Sequence, residues 1–448
     1  MFVPRTGRSG LLGLAVALAL ADSSVVTLAL PDIVSRFGVS ITDVAWVLIS
    51  YNLVLAALAV PAAHLARGRS RLLCAVGLVV FAAASLACGL ASSFPVLLAG
   101  RCVQAAGAAL VVATALVLLG GIEGSEQRAA HVWARAGILG AALGPAIGGI
   151  VTQLAGWEAI FLVQAPVALL PLLALWRLRM PPRVAVTTAG RPHTGANLAL
   201  LLGSAALSAA LFLLVILLVN GWSIDPAAAG LIVTLMPLAA IAAGRLAPAV
   251  ENRVVRAVTG FVLISGGLAA LGLLPHAGWG WTVAPQLLVG AGLGLSVAAL
   301  TEQALAGRAH QAVHGGWTIA SRHAGIVLGL LVLTPVFAHE LTRNQEQAKR
   351  AGAAIVLDSS IEPLHKIGVA QEVLRTIDDA DGRLPDIRPA FAANTDAADA
   401  GELHRVGNAL QQQLERAVTN AFGPAFLIAS LFALAALAAV ALTKDVEP

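Results

Sequence analysis

Gly140-Ala141-Ala142-Leu143-Gly144-Pro145-Ala146-Ile147-Gly148-Gly149 decides the fold of this chain. Glycines at this spacing let helices approach closely, and Pro145, in register with the glycine pairs, removes one backbone donor and kinks its helix. The stretch therefore reads as a close-packed helix in a bundle. It lies within an apolar run over 133–155, and about 20 such residues suffice to cross the hydrocarbon core of a bilayer.

Working outward, eleven further runs of that length appear, at 10–31, 43–64, 72–92, 95–120, 158–176, 196–219, 226–248, 255–275, 281–301, 316–338 and 421–443. Composition agrees. The 448 residues are 58% apolar and 12% charged, with a mean hydropathy of +0.85, far from globular averages of about half apolar and a quarter charged. This is an all-α, polytopic membrane protein and not a soluble enzyme. High hydrophobicity excludes disorder, and three cysteines, Cys74, Cys88 and Cys102, all inside apolar stretches, imply no disulfide framework.

Charge sets the expected orientation. The short loops after even-numbered spans hold Arg67, Arg69 and Arg71, then Arg128, then Arg177, Arg179, Arg183 and Arg191, then Arg253 and Arg256, then Arg308. Loops after odd-numbered spans are nearly free of cations, so both termini are expected in the cytoplasm of a plasma-membrane protein. Trp157, Trp222, Trp279 and Trp281 are then expected at the outer interface. Arg5, Arg8 and the apolar run after them imitate a secretory signal, but the helical pattern continues to Pro31, so cleavage is not expected.

The basic segment 177–195 reads as a cytoplasmic linker between two six-helix bundles, 1–176 and 196–448. Duplicated transporter folds divide in this way, with a substrate site at the midplane between the halves. Residues 339–420 form one large polar segment, with 9 Lys/Arg against 13 Asp/Glu, and this topology places it outside the cell. Amphipathic helices are legible around 361–377 and 403–418, separated by Asp381-Gly382, Pro385 and Pro389. A helical hairpin capping the outer mouth is the plainer expectation, and a docking site for an extracytoplasmic partner or a lipid-handling lid the sharper one.

Asp22 lies nine residues before Pro31, roughly 13 Å below the end of the first span, and Arg101 lies roughly 10 Å into the antiparallel fourth span. Their depths match. A charge in hydrocarbon costs about 2.5–3.5 kcal/mol or more, so it is kept where it faces a partner or a cavity. Arg101 then either holds Asp22 ionised in a static pair, or lets it release and regain a proton as the cavity opens to either side.

Asp22-Ser23-Ser24-Val25-Val26-Thr27-Leu28-Ala29-Leu30-Pro31 resembles the first-helix signature of drug:proton antiporters of the major facilitator superfamily. Trp46-Val47-Leu48-Ile49-Ser50-Tyr51-Asn52-Leu53 resembles their second helix. Arg101-Cys102-Val103-Gln104-Ala105-Ala106-Gly107 resembles the fourth-helix motif, with Ala105 where a glycine is usual, and residues 140–149 reproduce the antiporter motif of the fifth helix without a gap. Gly156-Trp157 to Pro166 is similar to the start of the sixth helix, with Glu158 and Ala159 replacing an Arg and a Trp. Ala320-Ser321-Arg322-His323-Ala324-Gly325 resembles the penultimate helix of the fourteen-helix subfamily, here with twelve helices. One departure stands out: Ala62-Ala63-His64-Leu65-Ala66-Arg67-Gly68-Arg69-Ser70-Arg71 keeps the cations of the family's gating loop and lacks its acid.

The resemblance implies alternating access and multidrug efflux of amphipathic or cationic organic compounds in exchange for protons. It implies proton coupling by Asp22 and Arg101, and gating or motif roles for Gln104, Gly107, Gly140, Gly144, Pro145, Gly148, Gly149, Arg67 and Arg71. Trp46, Tyr51, Asn52 and Arg322 are candidates for the substrate cavity. Glu302 and Glu158 are secondary coupling candidates, each with the alternative of a solvated helix end. His310 and His314 stand four apart without a third ligand, so no metal is expected. Gly290, Gly292 and Gly294 lie in an apolar span and read as helix packing, not a phosphate loop. No cofactor beyond the proton gradient, no nucleic-acid partner and a monomer in the bilayer are expected. Rival readings are a lipid exporter or flippase, given so few polar cavity residues, and a non-transporting scaffold or receptor, given the missing loop acid.

Overall fold

The computed structural model describes residues 4–176, 178, 190–305, 311–358, 371, 373, 375–376, 387–392 and 400–442. Among these the regular elements are all helices, and twelve are long and apolar enough to cross a membrane. They are α1 (Arg5–Thr27), α2 (Ile41–Ala66), α3 (Arg69–Gly89), α4 (Phe94–Glu123), α5 (Glu126–Ala155), α6 (Glu158–Leu175), α7 (Thr194–Gly221), α8 (Pro226–Ala249), α9 (Arg253–Gly272), α10 (Gly280–Leu305), α11 (Ala312–Asn344) and α12 (His404–Ala441). The chain is a multi-pass membrane protein.

Local chemistry starts and stops these helices. Asn252 caps α9 by accepting from the backbone N–H of Val254 (2.9 Å) and Val255 (3.1 Å), and Pro226 opens α8 where a missing donor costs nothing. Gly124 ends α4 in the left-handed region at φ 63°, which lets the chain reverse into α5 within two residues. The first span divides where the sequence reading runs it unbroken to Pro31. α1 ends at Thr27, and a short helix Leu30–Phe37 follows with Pro31 in its first turn, the position a proline tolerates best.

In each half the helices meet through small residues. A methyl added at Gly107 of α4 would lie 2.7 Å from the backbone nitrogen of Phe81 on α3. In the second half, Gly290 and Gly294 face α8 while Gly292 faces α9, so the glycine-rich run is helix packing. Gly325 and Gly329 of α11 rest against the carbonyls of Leu201 and Ala205 on α7. Between halves, α2 packs on α11 and α5 packs on α8.

The described flanks of the polar segment are helical and run on from the spans beside them. α11 belongs to a continuous helix Gln311–Asp358, and α12 to a continuous helix Ala400–Ala441. Neither extension contains a proline, and Val406 and Leu410 continue the buried register of α12, so nothing stops the helix at the span boundary. Phe391 packs over Gly407, and the Ile387 amide donates to Gln411 Oε1 at 3.1 Å. Most of the helix expected over 361–377 and of the 177–195 linker lies outside the described residues, though residues 371, 373, 375 and 376 are helical. Trp157 also departs from expectation: it is buried, edge-on to Phe37 and Phe161, because α6 turns it toward the bundle. Trp279 and Trp281 are exposed as an interfacial ring requires.

Candidate functional site: a sealed ion pair and a bridge between halves

Asp22 occupies the buried face of α1 and Arg101 that of α4, and both are wholly inaccessible to solvent. Arg101 Nη1 donates to Asp22 Oδ2 and, at 2.6 Å, to Gln104 Oε1, while its Nε donates to the Val47 carbonyl at 3.1 Å. The guanidinium carbon lies 4.3 Å from the centre of the Tyr51 ring and 5.7 Å from that of Phe161. Tyr51 is held in turn by its hydroxyl, which donates to the Ala19 carbonyl at 2.8 Å. A buried ion pair offsets its own desolvation only when further hydrogen bonds and good geometry support it. Here they do in part. Gln104 Nε2 donates to Ser85 Oγ (2.8 Å) and Gln164 Oε1 (2.9 Å), while Asp22 Oδ1, Arg101 Nη2 and Gln164 Nε2 have no hydrogen-bond partner among the described residues.

A second chain of hydrogen bonds starts at the next residue. The Asn52 amide donates to the Leu48 carbonyl (2.7 Å) and to Ser23 Oγ (3.0 Å), which leaves its oxygen to accept from His323 Nδ1 at 2.6 Å. Ser23 and Asn52 belong to the first half and His323 to the second. The bridge therefore joins the halves beside the ion pair.

The glycines of 140–149 serve two neighbours. Methyl groups at Gly140, Gly144 and Gly148 would fall 2.3 Å from the Ala17 carbonyl oxygen, 2.0 Å from Ser24 Oγ and 2.2 Å from the Val25 carbonyl oxygen, all on α1. A methyl at Gly149 would fall 2.3 Å from the Pro226 carbonyl oxygen on α8, and one at Gly230 2.5 Å from that of Pro145. Gly140, Gly144 and Gly148 thus face the helix that carries Asp22, and Pro145 and Gly149 face the other half.

Of the other cavity candidates, Arg322 is half-buried in α11 and Trp46 is 42% exposed. An apolar pocket lies between α2, α4, α5 and α11, lined by Leu55, Val112, Leu116, Trp133, Gly315 and Ile319 among others. Glu302 sits at the end of α10, where Arg253 Nε and Arg256 Nη2 each lie 3.6 Å from its Oε2. Glu158 begins α6 half-buried, and Arg71 is exposed. The Arg67 side chain, Arg308 and His310 lie outside the described residues. Arg69 and Arg71 make no ion pair among the described residues; charged clamps next to a helix reversal are found on Glu123, which meets Arg5 (3.9 Å) and Ser9 in the first half, and on Glu302 in the second. Sequence reasoning missed Ser85, Gln164 and His323 as members of the polar networks. Gln164 carried a usable signal, a lone amide in the apolar run Phe161-Leu162-Val163-Gln164-Ala165-Pro166.

Residues 12–330 match the family model of the Major Facilitator Superfamily. The chain belongs to this superfamily. Among solved structures, a major facilitator fold close to this one is a bacterial homologue of the human lysosomal transporter Spinster, inward-facing and unoccupied. It superposes with a TM-score of 0.67 at 18% identity and covers 99% of each chain. The Methylenomycin A resistance protein of Bacillus subtilis is 36% identical over 179 residues, 39% of this chain and 38% of that protein. The multidrug efflux pump LfrA of Mycolicibacterium smegmatis is 38% identical over 169 residues, 37% and 33% of the two chains. The Methylenomycin A resistance protein of Streptomyces coelicolor is 32% identical over 253 residues, 56% and 51%. The chain thus spans about a third to a half of the length of these relatives.

Proposed function

We propose that this major facilitator chain exports amphipathic organic compounds in exchange for protons. The cycle is alternating access between two six-helix bodies, 1–176 and 196–448, joined through 177–195. The observation that carries this reading is the sealed Asp22–Arg101 pair with the Ser23–Asn52–His323 bridge beside it. A carboxylate paired with a guanidinium keeps its charge, and a carboxylate parted from one inside a dry bundle takes up a proton. Rocking of α2 against α11 pulls on the bridge and so on the neighbourhood of Asp22. Relatives named for drug resistance and efflux support a drug as cargo. The proton gradient supplies the energy with no cofactor, and one copy of the chain suffices.

The test is transport in proteoliposomes. Asp22→Asn keeps the shape and removes the charge, so it abolishes uphill efflux driven by a pH gradient while substrate counterflow persists. Full pH-driven transport by this variant would overturn the assignment and turn attention to Glu302 and Glu158.

The cation distribution supports both termini and 177–195 in the cytoplasm, with 339–420 outside. In a background without Cys74, Cys88 and Cys102, an impermeant thiol reagent on intact cells should label Ala380→Cys and leave Thr187→Cys untouched. The reverse pattern would invert the topology. A second reading, export of a lipid, is favoured by the apolar lining of the pocket beside α11. Efflux of a fluorescent lipid, with no response to drugs, would select it.

A further inference from the structure

We propose that Arg322 receives the negative end of the cargo, so that the compounds carried are organic anions with an apolar body and not the cations that the family resemblance implies. This rests on the export reading above and narrows it.

Arg322 lies ten residues past Ala312, about 15 Å along α11 at 1.5 Å per residue, roughly a third of the way along the span. It is half-buried, and among the described residues it has neither a hydrogen-bond nor an ion-pair partner. A charge at such depth is held where it meets a partner or a water-filled cavity. The intramembrane acids are spoken for. Asp22 is sealed against Arg101 with no exposed surface, and Glu302 lies at the end of α10 on Arg253 and Arg256. No acid among the described residues pairs with Arg322, so we assign its counter-charge to the cargo.

Helix register says where that partner sits. Gly325 and Gly329 mark the side of α11 pressed on α7, and Gly316 and His323 mark the side that meets α2. At 100° per residue Arg322 falls between these two sides. It stands one turn beyond Ile319 and two beyond Gly315, both of which line the apolar pocket. Helical side chains lean toward the N-terminus of their helix, here toward that pocket. The pocket walls offer apolar side chains and no anion, and the guanidinium offers a planar fork of donors that fits a carboxylate or phosphate. In this conformation the pocket holds about one water's volume, and a cation one turn beyond its apolar lining is placed to draw an amphiphilic anion toward it. The source is either a free carboxylate or an anionic lipid headgroup, and the chemistry at Arg322 is the same.

The experiment is equilibrium binding to the purified full-length protein without a pH gradient, so it reads the site and not the coupling. The probe is 4-bromobenzoate, whose bromine quenches nearby tryptophan fluorescence, and Trp133 lines the pocket. Saturable quenching that is reduced in Trp133→Phe is expected for the wild type. Arg322→Gln should weaken binding at least about ten-fold, and Arg322→Lys, which keeps the charge and loses the fork, by about three- to ten-fold. Tetraphenylphosphonium, an apolar cation, should bind no worse to Arg322→Gln than to the wild type. Should Arg322→Gln not yield a monodisperse protein, the Lys variant and the Trp133→Phe control carry the test. Unchanged 4-bromobenzoate affinity in Arg322→Lys and Arg322→Gln, or cation binding lost with Arg322, overturns the proposal. Competition by phosphatidylglycerol nanodiscs but not by phosphatidylcholine nanodiscs supports it with a lipid as the source, and equal behaviour of the two supports it with a free carboxylate. Asp22→Asn should leave probe binding intact. A failure of proton coupling and a failure of the anion site are thereby told apart.

Discussion

In the first half, α1, α2, α3, α4 and α6 enclose a carboxylate and a guanidinium so completely that neither has exposed surface, and Gln104, Gln164, Ser85 and Tyr51 surround the pair. In the second half, Glu302 and its two arginines sit at a helix end, partly in solvent, and Arg322 stands half-buried with no partner among the described residues. Both halves pack by the same device, glycine against a neighbouring backbone. Each half carries a partly solvated acid at a helix end, Glu123 on Arg5 and Glu302 on its two arginines, and they differ in where the charge inside the span is placed. A sealed, neutral pair is suited to storing a proton, and an open, unpaired cation is suited to meeting a ligand. The division of labour across α2 and α11 follows from that contrast.

Removing one partner of the sealed pair is the harshest test of it. Arg101→Ala leaves Asp22 uncompensated and should destabilise the protein by about 3–5 kcal/mol, seen as a large fall in unfolding temperature in detergent. Replacing the pair together, Asp22→Leu with Arg101→Met, should restore most of the loss and leave no proton-coupled transport. A double variant as unstable as Arg101→Ala would mean that the polar network, and not the unpaired charge, sets stability.

A smaller effect probes the packing that the halves share. Gly148→Val forces side-chain atoms into the Val25 carbonyl and parts α1 from α5, costing about 1–3 kcal/mol as an overpacked site does. Gly120→Ala, where the added methyl meets nothing within 4 Å, is the matched control and should be nearly silent. Equal effects would break the claim that α1 is seated on these glycines.

The smallest effect belongs to the open clamp. Glu302→Gln removes ion pairs that are partly solvated, worth about 0–1 kcal/mol and weakened by salt. A loss comparable to Arg101→Ala would erase the contrast between halves and make Glu302 the second coupling group.

Twelve spans and the close-packing role of 140–149 could be read from the chain because each depends on local facts: the length of an apolar run against the thickness of a bilayer, and the spacing of residues without side chains. The matching depths of Asp22 and Arg101 could be read as well, since helical rise fixes depth from residue number alone. Which helix faces which could not. That Gln164 and Ser85 join the ion pair through Gln104, that His323 reaches Asn52 across the halves, and that Arg322 has no partner among the described residues are all facts about residues far apart in sequence. Only the packing of one helix on another settles them. The same holds for the helical flanks of 339–420: the heptad-like register of Val406 and Leu410 was visible, but its continuity with α12 depends on an unbroken run of backbone hydrogen bonds through the end of the span. Sequence fixes what each helix can bury and how deep its charges lie, and the tertiary fold decides which charges meet.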